Sequence, residues 1–221
     1  MLILLHPGFA QDSYESRELM SLIDLIGFYD RTQPKGFEYD GSPYLKEDFT
    51  SGILLYDEKY RFEDLALRYN VFNDEMEYQL PGRETIFALS PYQPVDMVII
   101  AEDTFIARNY FHMGSIVPGF FKILVSGDID LLVKMEIDYI EEQAATAFLD
   151  ARPAEFVRRP DDFYIMRKGM DPEKIINVNK LIKSLGHHQP ELKRFKKENK
   201  ISSRNPDELS RFIAYYNALQ H

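Results

Sequence analysis

The sequence predicts an α+β protein: an antiparallel β-meander, as a twisted sheet or a partly closed barrel, with an N-terminal helix and a small C-terminal helical module. Three observations predict it. Apolar and polar residues alternate with period two through the middle of the chain. Turn-forming pairs such as Asn73-Asp74, Pro81-Gly82 and Gly127-Asp128 punctuate that alternation. The last sixty or so residues (a rough span) switch to helical spacing with cap residues in place.

In chain order, Leu2-Ile3-Leu4-Leu5 and His6-Pro7-Gly8-Phe9-Ala10 read as the end of a truncated secretory signal over residues 1–10. Cleavage is expected after Ala10, leaving Gln11 first. Residues 11–48 read as a helix and a linker. Leu19, Met20, Leu22, Ile23, Leu25 and Ile26 recur at helical intervals, with Asp12 or Ser13 as cap, and turn-rich text follows from Arg31 to Leu45.

Residues 49–142 are expected to form the antiparallel domain. Leu65, Leu67, Tyr69 and Val71 alternate with Ala66, Arg68, Asn70 and Phe72; Glu75 to Leu80 returns across the Asn73-Asp74 turn, which makes a hairpin. Further strands are predicted at Thr85–Leu89, Val95–Ile100, Thr104–Phe111, Phe120–Ser126 and Ile129–Glu141. In the last of these, Ile129, Leu131, Val133, Met135, Ile137 and Tyr139 share a buried face. Asp130, Lys134, Glu136 and Asp138 occupy the wet one.

Residues 143–161, with their alanines and with Pro153 and Pro160, read as a linker. Residues 162–221 are expected to hold a hairpin plus helices. Phe163–Arg167 pairs with Lys174–Val178, helices span Asn179–Leu185 and Pro190–Asn199, and a last helix has Asn205 as N-cap and Pro206 in its first turn. Leu209, Phe212, Ile213 and Tyr216 form its apolar stripe.

Composition narrows the function. With 36 acidic and 26 basic side chains, the net charge of -10 repels phosphate backbones and anionic lipid. The absence of cysteine removes thiolate metal sites, iron–sulfur clusters and cysteine nucleophiles. No run is long enough to cross a bilayer as a helix. No HExxH, nucleophile elbow or phosphate-cradling loop is present, and His187-His188 reads as an inter-helix loop, so no metal and no cofactor is expected. Lys193, Arg194, Lys196, Lys197 and Lys200 around Phe195 read as a solvated helix face, with nucleic-acid binding the less favoured meaning. The many tyrosines, Tyr56, Tyr60, Tyr69, Tyr78, Tyr92, Tyr110 and Tyr139 among them, fit cross-strand packing or a ligand-binding concave face.

Gly41-Ser42-Pro43-Tyr44-Leu45, the run Leu67 to Glu77, Gly119-Phe120-Phe121, Leu124 to Gly127, Asp161 to Tyr164 and Tyr215-Tyr216-Asn217 together resemble an exported protein family found mainly in Bacteroidota. The likeness runs from about Gly41 to Leu219. It implies a secretory leader and a periplasmic or envelope address, and it carries over no catalytic residue.

The favoured expectation is therefore a non-enzymatic exported protein that binds a protein partner or small ligand through its sheet. Arg68, Asn70 and Asp74, with Tyr69 and Tyr78, are the candidate surface. Arg68 has a second reading, as the partner of a carboxylate on the next strand. Two alternatives stay open: a hydrolase whose carboxylates converge from distant strands, and a cytoplasmic nucleic-acid accessory protein.

Overall fold

The computed structural model describes residues 39–80, 84–145 and 150–220. The expected signal and N-terminal helix lie outside them. The architecture is α+β, dominated by a curled ten-stranded half-barrel with helices at the C-terminal end.

The strands are β1 (Tyr39–Asp40), β2 (Thr50–Tyr56), β3 (Tyr60–Asn70), β4 (Glu75–Gln79), β5 (Ile86–Leu89), β6 (Val95–Ile100), β7 (Asp103–His112), β8 (Ser115–Val125), β9 (Ile129–Lys134), β10 (Ile137–Ile140), β11 (Ala154–Arg158), β12 (Asp162–Arg167) and β13 (Glu173–Lys174). The large sheet runs β13-β12-β9-β8-β7-β6-β2-β3-β4-β5. It is two meanders, β2 to β5 and β6 to β9, joined because their first strands pair antiparallel, Gly52 with Ile100 and Leu54 with Val98. A small second sheet, β1-β11-β10, has β1 parallel to β11.

Three helices follow: α1 (Val178–Leu185), α2 (Gln189–Glu198) and α3 (Pro206–Ala218). Asn205 caps α3 as its sequence predicts, its side chain accepting from the N–H groups of Asp207 and Glu208. Glu208 receives the Ser202 N–H at 2.8 Å and the Asn205 side-chain amide at 3.2 Å, so the carboxylate ties the incoming chain to the cap residue's side chain. The helix stripes, including Leu181, Ile182, Leu192, Leu209, Phe212 and Ile213, merge with Leu54, Leu67, Tyr69, Phe105, Phe120 and Leu131 of the sheet in one core. The helical module thus packs on the face of the large sheet that holds this core, with α3 against β8 and β9.

Four expectations need correction. The predicted strand Ile129–Glu141 is two strands in two sheets, broken at Met135-Glu136. Its supposedly wet face is half dry, since Leu132 and Lys134 are buried; Leu132 joins Ile106, Tyr110, Phe121 and Tyr164 in a second, smaller cluster on the opposite side of the sheet. The linker 143–161 contains β11, whose register pairs Tyr139 with Phe156 and Ile137 with Arg158. The end of the 11–48 linker is structured too: Pro43 accepts the N–H groups of Val71 and Phe72, and Leu45 donates to Tyr69.

Candidate functional site

The five residues singled out in the sequence converge on the β3–β4 hairpin, where alternation sends Arg68 and Asn70 to one face and Tyr69 to the other. On the first face the Arg68 guanidinium donates from Nε to Glu77 Oε2 at 2.8 Å, with Nη2 at 2.6 Å from the same oxygen. It donates further to the Tyr44 hydroxyl at 2.8 Å and the Glu47 carbonyl at 3.0 Å. The rings of Tyr44 and Phe49 lie on it, 3.7 and 4.3 Å from the guanidinium carbon. Asn70 donates to Glu77 Oε1 at 2.9 Å and accepts the Asn73 N–H that closes the turn. The buried Glu77 carboxylate is therefore neutralised and hydrogen-bonded on both oxygens.

On the second face Asp74, in the left-handed region at φ 54°, collects three donors. The Tyr69 hydroxyl reaches Oδ1 at 2.5 Å, Lys134 Nζ lies 2.6 Å from Oδ2, and the Phe120 N–H sits 3.3 Å from each oxygen. Lys134 also donates to the Phe120 carbonyl at 3.2 Å. The β8–β9 ladder ends at Lys122 opposite Val133, so Phe120 lies beyond the last strand pair, and the Asp74–Lys134 pair takes up both of its backbone groups. Gly119 is needed beside it. A Cβ there would stand 2.8 Å from Tyr110 Cε1, 3.1 Å from Asp74 Oδ2 and 3.2 Å from Lys134 Cε.

Of the residues expected to form a ligand or partner surface, Arg68 and Asp74 are half-buried and the other three lie inside. Asn70, Tyr69 and Tyr78 are buried, and Tyr78 stacks on Phe87 within the core. Burial pushes the hydroxyl of Tyr78 up to about 12. Arg68 follows its second reading as a strand-to-strand ion pair. Sequence reasoning missed Lys134 as a member of this group, because its place in an alternating run marked it as solvated. It also passed over Glu77, although the motif Leu67 to Glu77 contained it.

What the fold does expose is an aromatic face on the small sheet. Phe72, at the hairpin turn, packs edge-on to Phe156 at 5.1 Å, and Phe156 touches Tyr39 and Tyr139 at 5.0 Å each. Phe72, Tyr139 and Ile140 remain exposed. Among the described residues β10 is paired on one side only, through β11. Elsewhere, Arg108, Asp130, Met166, Lys168, Met170 and Asp171 line an open cleft of about 500 Å³. Asp130 accepts the Gly127 N–H there at 3.0 Å.

Among the described residues no group of three or more His, Asp or Glu is placed to hold a metal ion, and no helix is long and apolar enough to cross a membrane. The basic residues of α2 surround Phe195, whose ring stacks on Tyr215 at 4.1 Å and is spent on helix packing. No family model, curated protein or solved structure matches the chain.

Proposed function

We propose that this chain is a non-enzymatic exported envelope protein that binds a protein partner, and that the docking element is the open edge of β10. One observation carries the reading: Tyr139 and Ile140 are exposed on a strand that, among the described residues, is hydrogen-bonded on one side, beside the Phe72–Phe156 ring pair. Such an edge offers main-chain donors and acceptors to an extended segment, and the rings give its side chains an apolar floor. The export part rests on the N-terminal pattern Leu2 to Ala10 and on the family resemblance.

The test is a photo-reactive residue placed at Tyr139, and for comparison at Arg61 on the large sheet, in cells of the native host. A discrete adduct from position 139 alone, in the envelope fraction, is the expected result. Equal labelling at both positions, or a chain found wholly in the cytoplasm, would count against the reading.

The open cleft gives the hydrolase reading its own observation, since Asp130 of β9 and Asp171 of the β12–β13 turn both line it. Two carboxylates facing one cleft can act as acid and base on a bound ester or glycoside. Turnover by the purified chain that is lost in both Asp130→Asn and Asp171→Asn would favour it over the binder.

A further inference from the structure

The buried Lys134 and the half-buried Asp74 have the makings of a covalent cross-link. We propose that the two side chains condense spontaneously after folding into an isopeptide bond that ties the β3–β4 turn to the end of β9. The geometry is that of an assembled reaction centre. Lys134 Nζ lies 2.6 Å from Asp74 Oδ2, one bond from the carbon it would attack. Its side chain is only 3% exposed, and the rings of Tyr110 and Phe121 flank the nitrogen at 5.9 and 5.8 Å.

The atoms balance without a co-reactant. The ammonium passes one proton to the carboxylate, and the neutral amine attacks Cγ. Negative charge develops on Oδ1, where the Tyr69 hydroxyl at 2.5 Å and the Phe120 N–H at 3.3 Å are already in place as donors. Burial raises the Tyr69 hydroxyl well above its ordinary value, so it stays protonated and able to donate. The C–Oδ2 bond breaks, that oxygen takes the first proton and a second from nitrogen, and one water leaves. Holding the two groups together supplies an effective concentration that can reach on the order of 10⁵–10⁸ M, which drives a condensation that free lysine and aspartate do not undergo.

The product also fits the site. A secondary amide keeps one acceptor and one N–H donor, and Phe120 offers one N–H and one carbonyl, both now held by the separate side chains. The cross-link would pair with Phe120 as a strand residue does, at the point where β9 leaves β8.

Peptide mapping of the purified full chain by mass spectrometry decides the matter. The peptides containing Asp74 and Lys134 are expected as one linked species, lighter than their sum by one water, persisting after complete denaturation and absent from Lys134→Arg. Two linear peptides of unaltered mass from the wild type would overturn the proposal. So would a linked species that persists in Lys134→Arg. The wild-type result is decisive whether or not the variant folds.

Discussion

Asn217, in the last turn of α3, holds the backbone of Ile129 with both ends of its side-chain amide: Oδ1 accepts the Ile129 N–H at 3.1 Å, and Nδ2 donates to the Ile129 carbonyl at 3.0 Å. The amide mimics a neighbouring strand at the first residue of β9 and fixes the helical module to the sheet. Gly127 lies directly beneath, and a Cβ at that position would come 2.2 Å from Asn217 Nδ2. Turn and helix therefore fit together here because position 127 carries no side chain.

Replacing Asn217 by Ala should cost about 1–3 kcal/mol, because the Ile129 groups lose partners in a partly buried setting. Gly127→Ala should destabilise by a similar amount through the clash. The double variant should lose less than the sum, since removing the amide makes room for the methyl group; urea unfolding of all four proteins measures the coupling.

Arg68→Ala leaves the buried Glu77 carboxylate without its cation, and a loss of roughly 3–5 kcal/mol is expected. Arg68→Lys should recover only part of it. An ammonium cannot bond Glu77, Tyr44 and the Glu47 carbonyl at once while lying flat between the rings of Tyr44 and Phe49. Chemical denaturation of both variants tests the order.

Gly119→Ala should destabilise by about 1–3 kcal/mol, since Tyr110, Asp74 and Lys134 must all move to admit a methyl group. Crowding of this kind should also disturb the environment of Tyr110. The check is a loss of near-ultraviolet circular dichroism intensity alongside the lowered unfolding midpoint.

Alkaline pH should unfold the protein through its tyrosines. Burial raises the hydroxyls of Tyr44 and Tyr78 to about 12, with the Glu77 charge adding to the effect at Tyr44; Tyr69, Tyr110 and Tyr164 are raised by burial as well. A raised value means that the folded chain keeps protons the unfolded chain has released. The stabilisation is complete below pH 10 and is lost as pH climbs toward 12 and beyond. Absorbance titration should show a group of tyrosines ionising late and together with unfolding; independent titration of all of them near 10 would contradict this.

Phe212 is completely buried between the helices and the sheet. Its replacement by Ala should cost about 3–5 kcal/mol and, because the helical module and sheet share one core, should lower a single unfolding transition. Two separated transitions would show the module folding by itself.

Much of the fold was legible in the sequence. The hairpin from Leu65 to Leu80 and the cap at Asn205 are written locally, in period-two alternation and in a side chain that reaches its own helix's N–H groups. The candidate surface was not legible in the same way. Arg68 and Asn70 look like wet residues until Tyr44, Phe49 and the Pro43 to Leu45 segment fold over them, and that segment reads as linker on its own.

By itself the sequence determined the three helices and most of the strands, and for most of these which side is apolar, since both follow from spacing along one chain; it passed over β2 and β11. Only the tertiary structure decided that β2 pairs with β6, that β9 breaks at Met135, and that Lys134 is buried against Asp74. Each of those depends on the mutual satisfaction of groups far apart in the chain. Periodicity records how a residue faces its own backbone and carries no trace of the partner that will meet it.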